Sequence, residues 1–272
     1  MKNKKIYYQG SEGSYSESVL LEMFPDSELI SCKTFQDVSI NASNDGFGLL
    51  PIENSLVGTV IEAYESLIEY ELEIFLEVKK KINHALIGLA GTQKQNLKKI
   101  ISHPQALQQC SKFLQDSKLR ITPVFDTAGS VFEILETKDI NTAAIAGEHF
   151  KNDERFKILK ENISNHQENF TRFLLIGNEK LESNKENNKY SSVLISDDKP
   201  GSLLQALNIF SDLNINLTKL ESRPILGRPW EYKFYIDYEL QNVKTQMELI
   251  DGIKKVSKEF IILGHYPKAC LL

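Results

Sequence analysis

Trp230-Glu231-Tyr232-Lys233-Phe234-Tyr235-Ile236-Asp237-Tyr238-Glu239 places a large apolar side chain at every second position from Trp230 to Tyr238. A period of two belongs to an extended strand with one buried face, and Glu231, Lys233, Tyr235, Asp237 and Glu239 give it one wet face. Just before it, Leu226-Gly227-Arg228-Pro229 reads as a turn and residues 217–225 as a second strand, which makes a hairpin. Further upstream, residues 190–196 form a short apolar strand and Asp198-Lys199-Pro200-Gly201 a turn. Leu203, Ala206, Leu207 and Phe210 then recur at helical spacing over residues 202–213. Downstream, Met247, Ile250 and Ile253 mark a second helix, and residues 260–263 a last strand. The order β-α-β-β-α-β is the ferredoxin-like motif. That motif serves many activities and by itself names none.

Residues 178–189 run Asn-Glu-Lys-Leu-Glu-Ser-Asn-Lys-Glu-Asn-Asn-Lys, with Leu181 as their single apolar side chain. Such a stretch buries nothing and reads as a solvated linker between two domains, 1–177 and 190–272. A chain of 272 residues has the length for two cores. In the first region short apolar runs at residues 6–9, 46–50, 99–102 and 142–146 alternate with helical patterns at 16–24, 58–69, 104–114 and 129–135. Alternation of this kind predicts an α/β sheet, largely parallel.

The formal net charge of −5 disfavours nucleic acid as a partner, since phosphate binding needs a concentrated positive field. Cys32, Cys110 and Cys270 are odd in number and contain no CxxC pair, so they read as reduced thiols rather than disulfides or zinc ligands. The basic start is followed by Ile6-Tyr7-Tyr8-Gln9-Gly10-Ser11-Glu12, which lacks the apolar core of a secretion signal. No run approaches the roughly 18 apolar residues of a membrane span. The expected location is the cytoplasm. His84, His103, His149, His166 and His265 lack metal-ligand spacing and read as structural or exposed, His103-Pro104 as a helix start. The acids around Glu62, Glu65, Glu69 and Glu71 read as a solvated helix face. No metal and no cofactor is expected.

Four strand-to-helix junctions share one chemical character: residues 10–16, 51–58, 102–105 and 126–130 are rich in glycine, hydroxyl and amide side chains. Each alone is an ordinary cap or turn. Together they lie at the carboxyl ends of strands, where α/β sheets bind ligands, and helix N-termini there attract anions. A cleft for a small molecule with more than one negative group follows. Asn169-Phe170-Thr171-Arg172-Phe173 ends the first region either as plain strand edge or as a hydroxyl and guanidinium placed in that cleft.

Taken together, Gly10-x-x-Gly13-Ser14-Tyr15-Ser16, Pro51-Ile52-Glu53-Asn54-Ser55 with Gly58, Ser102-His103-Pro104-Gln105-Ala106, Thr127-Ala128, Ala143-Ala144-Ile145-Ala146 and Asn169-x-Thr171-Arg172-Phe173 resemble the prephenate dehydratases in order and rough spacing. The second region resembles an ACT regulatory domain. Pro200-Gly201-Ser202-Leu203 and Glu221-Ser222-Arg223-Pro224 match the segments that bind phenylalanine in that family. Asp126 before Thr127, and Gly129-Ser130 after Ala128, depart from the usual Ser-Thr-Ala run and add a carboxylate near the cleft.

The resemblance implies a two-lobed catalytic domain like the periplasmic binding proteins, followed by the ferredoxin-like ACT domain. It implies decarboxylating dehydration of prephenate to phenylpyruvate in phenylalanine biosynthesis, with L-phenylalanine as allosteric inhibitor and a homodimer or homotetramer as the assembly. Thr171 takes the essential role, as a hydrogen-bond donor to the leaving oxygen. Asn54, Ser55, Thr127, Ala128, Asn169, Arg172 and Phe173 surround the substrate, Arg172 holding a carboxylate or bracing the loop. Gly201, Ser202, Leu203, Glu221, Ser222, Arg223 and Pro224 take the effector. The alternatives are an arogenate dehydratase and a non-catalytic protein that binds or senses a small anion.

Overall fold

The computed structural model describes residues 3–179 and 187–272. The chain starts as expected of an α/β protein: Lys5–Gln9 (β1), Tyr15–Met23 (α1), Glu28–Cys32 (β2), Phe35–Asn44 (α2), Phe47–Asn54 (β3), Gly58–Thr59 (β4) and Ile61–Glu69 (α3). Glu73–Lys81 (β5) then carries it into a second lobe. That lobe holds His84–Leu89 (β6), Lys99–Ser102 (β7), Pro104–Gln109 (α4), Ser111–Gln115 (α5), Arg120–Pro123 (β8), Gly129–Thr137 (α6), Thr142–Gly147 (β9) and Phe156–Lys160 (β10). Phe170–Gly177 (β11) returns to the first lobe. The remainder is Lys189–Ser196 (β12), Ser202–Asp212 (α7), Asn216–Ile225 (β13), Arg228–Glu239 (β14), Val243–Val256 (α8), Ser257–Tyr266 (β15) and Cys270–Leu271 (β16). Elements β12 to β15 carry out the β-α-β-β-α-β order. Among the described residues no helix is long and apolar enough to cross a membrane.

The second lobe is a five-stranded sheet of order β10-β6-β9-β7-β8. All other strands join one eleven-stranded sheet, β13-β14-β12-β15-β5-β11-β3-β1-β2, with β16 beside β5 and β4 beside β3. Parallel pairing is confined to β1 with β2 and β3, to β7 with β8 and β9, and to the contacts of β5 with β15 and β16. The expectation of a largely parallel sheet therefore fails. Strands β5 and β11 are the two chain crossings between lobes, one outbound and one inbound, so they pair antiparallel.

The linker expected at 178–189 lies largely on residues 180–186, outside the described residues. Its last residue, Lys189, opens β12 instead and is 5% exposed. The part after it does not stand apart from the first lobe. Val193, Tyr235, Leu263 and Tyr266 share a core with Tyr7, Leu50, Ile52, Tyr64, Ile74 and Leu174. Tyr64 and Tyr235 bring their rings to 4.6 Å between centroids, a contact worth about 1 kcal/mol beyond area burial. This packing also overturns the wet face assigned to β14. Tyr235, Ile236, Asp237 and Tyr238 are all buried, because the far face of the strand meets the first lobe, while Trp230 at its start is 80% exposed.

Candidate active site

The lobes enclose a cleft of about 730 Å³. Ser14, Val60, His103 and Ala128, the N-caps of α1, α3, α4 and α6, all line it. Four helix N-termini thus open on one space with their partial positive charge, although His103 and Asp126 already take the Gln105 and Gly129 N–H groups. Among the described residues that line it there is no lysine or arginine; the acids are Asp126 and Glu62, and hydroxyl and amide side chains alternate with apolar ones such as Phe35, Ile82 and Phe173. Glu62, expected on a solvated face, stands at the cleft rim in the first turn of α3. Pro104 opens α4 as its sequence predicts, and His103 Nδ1 accepts the Gln105 N–H at 3.2 Å.

Thr171 faces Asn54 across the antiparallel β11–β3 pair. Two backbone donors fix the Asn54 amide, since its Oδ1 accepts the N–H groups of Leu56 at 3.0 Å and Val57 at 3.1 Å. Its Nδ2 must therefore donate, and it does so to Asn169 Oδ1 at 2.8 Å and Thr171 Oγ1 at 3.0 Å. The consequence for Thr171 is direct. Its oxygen already accepts a hydrogen bond, so its own O–H remains to donate into the cleft.

Asn169 is fully buried and does not itself line the cleft; it passes the polarity on, donating Nδ2 to Gln109 Oε1 at 3.1 Å. Gln109, on α4, lines the cleft beside His84, whose Nε2 lies 2.9 Å from the same Gln109 oxygen. Burial pushes the His84 imidazole down, the Gln109 contact opposing it, so the ring is neutral. Tyr15 approaches His84 Nδ1 at 3.3 Å and donates to the Asn83 carbonyl at 2.7 Å. Sequence reasoning passed over Gln109 and His84. The available signals were a histidine opening the wholly apolar run Ala85 to Leu89, and Gln105 and Gln109 one helical turn apart.

Thr127, Ala128 and Phe173 line the cleft as expected. Ser55 does not. It is exposed and clips β3 to β11, accepting the Phe170 N–H at 3.0 Å and donating to the Glu168 carbonyl at 3.3 Å. Asp126 accepts hydrogen bonds from the Gly129 N–H at the start of α6 and from the Ser11 hydroxyl of the opposite lobe at 2.8 Å. A second contact across the lobes joins His149 Nε2 to the Gly13 carbonyl at 2.7 Å. Gly13 has φ +74°, and a Cβ there would lie 2.2 Å from the Phe150 ring.

Of the two roles left open for Arg172, the structure places it for bracing. Thr171 and Phe173 point into the cleft, so the alternation of β11 sends Arg172 to the other face. There its guanidinium, 7% exposed, meets Asp237 at 2.6 Å, Glu77 at 3.1 Å and Glu53 at 3.4 Å. Burial opposes the Arg172 charge, but Asp237, then the Tyr64 and Tyr266 oxygens and Glu77, outweigh it and hold the proton firmly. Lys189 joins Glu77 at 2.5 Å, and Ser191 bonds both Asp237 and Tyr266. The cluster extends outward, because Lys219 bridges Glu53 at 3.2 Å and Glu221 at 3.0 Å, and Arg223 meets Glu221 at 2.5 Å. Arg172 therefore joins β11 to the β12–β15 region and does not border the cleft.

The residues expected to take an effector are separate in this single chain. Gly201, Ser202 and Leu203 border a hollow of about 370 Å³ with Trp230, Tyr232 and Phe234. Glu221, Ser222, Arg223 and Pro224 lie along β13, the outermost strand of the large sheet, and do not border that hollow.

The sequence model of the family described as prephenate dehydratase matches residues 6–181. Among curated proteins, the chain is 35% identical to a prephenate dehydratase of Methanocaldococcus jannaschii, over 97% of this chain and 98% of that one. It is 34% identical to arogenate dehydratase/prephenate dehydratase 1 of Arabidopsis thaliana, over 97% of this chain and 72% of that one. Among solved structures, it resembles the prephenate dehydratase of Arthrobacter aurescens in complex with L-Phe, with a TM-score of 0.86, 25% identity and coverage of 97% and 90%.

Proposed function

Since the chain belongs to the prephenate dehydratase family, whose members are hydro-lyases, we propose that it converts prephenate to phenylpyruvate, carbon dioxide and water under feedback control by L-phenylalanine. The observation that carries this reading is the free Thr171 O–H, oriented by Asn54, in a cleft that the N-caps of four helices also line. In the proposed step the ring C–C bond to the carboxylate breaks. Its electron pair moves through the ring and expels the hydroxyl oxygen opposite, which takes up one proton and leaves as water. Aromatisation drives the reaction, so the protein's part is alignment and a hydrogen bond to the departing oxygen. Thr171 is the catalytic residue. Asn54 orients it, and Thr127, Ala128 and Phe173 flank the substrate. Asn169 holds Asn54 from behind, and Ser55 and Arg172 support the strands. The helix ends and neutral amides take the two carboxylates without a lysine or arginine. The bonds from Ser11 to Asp126 and from His149 to Gly13 support closure of the lobes over the substrate, which excludes water.

In this reading residues 1–177 are the catalytic domain and 190–272 an ACT regulatory domain. Phenylalanine is bound by Gly201, Ser202, Leu203 and Glu221 to Pro224, with two copies of the chain completing the site. Support for pairing comes from the edge position of β13 and from the exposure of Leu204, Trp230 and Tyr232 around the hollow. The ion pairs from Arg223 through Glu221, Lys219 and Glu53 to Arg172 offer a physical route from effector segment to catalytic strand. The enzyme works in the cytoplasm as a homodimer or homotetramer. Arogenate, with an amino group in place of the keto oxygen, is the second substrate reading, favoured by the relative whose name carries both activities.

The test is phenylpyruvate formation from prephenate, and phenylalanine formation from arogenate, with and without added L-phenylalanine. Turnover of prephenate that L-phenylalanine suppresses is the expected result. Absence of turnover on both compounds overturns the enzymatic reading.

A further inference from the structure

The polarity of the hydrogen-bond chain behind Thr171 is fixed from one end. Leu56 and Val57 N–H groups determine Asn54, Asn54 determines Asn169, and Asn169 determines Gln109, whose Oε1 must accept. His84 Nε2, 2.9 Å from that oxygen, then has to carry a hydrogen. With Oε1 held by Asn169 and His84, the Gln109 NH₂ group is left for the cleft it lines. We propose that His84 is a positioning residue of this site, acting through Gln109. Its Nε2–H holds the Gln109 amide so that the NH₂, and not the carbonyl, meets a carboxylate of the substrate. This rests on the dehydratase reading of the cleft.

The physical stake is the sense of one dipole. Without His84, Asn169 alone fixes the amide, and a half-turn of Gln109 presents its carbonyl oxygen to an anion. The residue is well placed to prevent this, being 3% exposed and anchored by its backbone N–H, which donates to the Ser164 hydroxyl at 3.1 Å. Tyr15 packs beside Nδ1 at 3.3 Å without bonding it, its single hydrogen being given to the Asn83 carbonyl.

The experiment is a double-mutant cycle on the full-length protein with prephenate as substrate. His84→Leu is expected to lower kcat/KM by at least about tenfold, the effect of misdirecting one hydrogen bond to a charged group. His84→Gln, whose amide can reach Gln109 Oε1, is expected to recover activity to within about threefold. In a Gln109→Ala background, His84→Leu is expected to change kcat/KM by less than about twofold, because its partner is gone. Independent losses that multiply in the double variant, or a His84→Gln as impaired as His84→Leu, overturn the proposal. A reading free of folding effects comes from the wild-type protein. Long-range ¹H–¹⁵N spectra should show the His84 ring protonated at Nε2 and bare at Nδ1, and the reverse overturns the proposal. A wild type inert toward prephenate and arogenate removes the dehydratase reading itself, and the proposal falls with it; an active wild type with multiplicative losses removes only the role of His84.

Discussion

Replacing Asn54 by aspartate changes one atom and should cost nearly all activity. The carboxylate still accepts the N–H groups of Leu56 and Val57, so the local turn keeps its bonds. It can no longer donate to Asn169 or Thr171, which Asn54 reaches at 2.8 Å and 3.0 Å. Thr171 then turns its hydroxyl hydrogen toward Asp rather than toward the substrate. Loss of the neutral bond accounts for about 1 kcal/mol. For a substrate carboxylate bound about 6 Å away, a new negative charge at an effective dielectric of about 20 adds about 3 kcal/mol. Together they predict a fall in kcat/KM of roughly 1000-fold at neutral pH. The replacement sits at a buried position, 8% exposed in the parent, which raises its carboxyl, while the Leu56 and Val57 N–H groups oppose the rise. Once protonated it is neutral and can donate again. The Asn54→Asp rate relative to wild type should therefore rise as pH is lowered from about 8 to about 5.5. Steady-state assays across that range, with circular dichroism as the control for folding, decide the matter. A folded variant that keeps more than about a tenth of wild-type kcat/KM at neutral pH refutes the derivation of the Thr171 orientation.

Thr171→Val should fold normally and lose at least about 100-fold in kcat, the range for removing one transition-state hydrogen-bond donor, measured by phenylpyruvate release. Asp237→Asn leaves Arg172 and Lys189 facing Glu77 in a buried cluster and should cost about 3–5 kcal/mol, read as a lowered midpoint in thermal unfolding. Lys219→Met should preserve L-phenylalanine binding in calorimetry while weakening inhibition at saturating effector; unchanged inhibition removes the ion-pair route. His84 and His149 are both held below the ordinary imidazole range, chiefly by burial, so the unfolded chain takes up protons that the folded one refuses. Their contribution to stability is complete above about pH 6.5 and is lost as pH falls below it, and replacing both by glutamine should flatten that slope in thermal melts. Burial pushes the Cys110 thiol up to about 12, so it should resist alkylation at about pH 8 until the protein is unfolded.

Much of the site could be read from the sequence because its residues sit where α/β chemistry must sit, at strand ends and helix starts. Ser14, His103, Thr127 and Ala128 are of this kind. Thr171 and Asn54 were legible as parts of a motif, but their bond was not, since it depends on the register of β11 against β3. Arg172 shows the limit most clearly. A guanidinium next to Thr171 suggests a shared ligand, yet neighbours on a strand face opposite ways. Its true partners, Glu77 and Asp237, are distant in sequence. The same missing information explains the misread face of β14. Alternation was visible, but the lobe that covers its second face was not. Strands β2 and β5 and helix α2 escaped notice because their apolar residues are interrupted by charges or polar side chains.

The large sheet also dictates an order of manufacture. Strand β5 is made early, yet Ile74 finds its partner in Gly264, and Val78 and Lys79 find theirs in Cys270 and Leu271. On its other edge β5 waits for β11, which follows the whole second lobe. While the ribosome is still translating, β5 has neither neighbour and exposes a long ribbon of unmet backbone groups. The five-stranded lobe, by contrast, is contiguous in the chain from His84 to Lys160 and can close as soon as it emerges. Assembly from the middle outward follows, with the nascent chain most vulnerable to aggregation before its final strands appear.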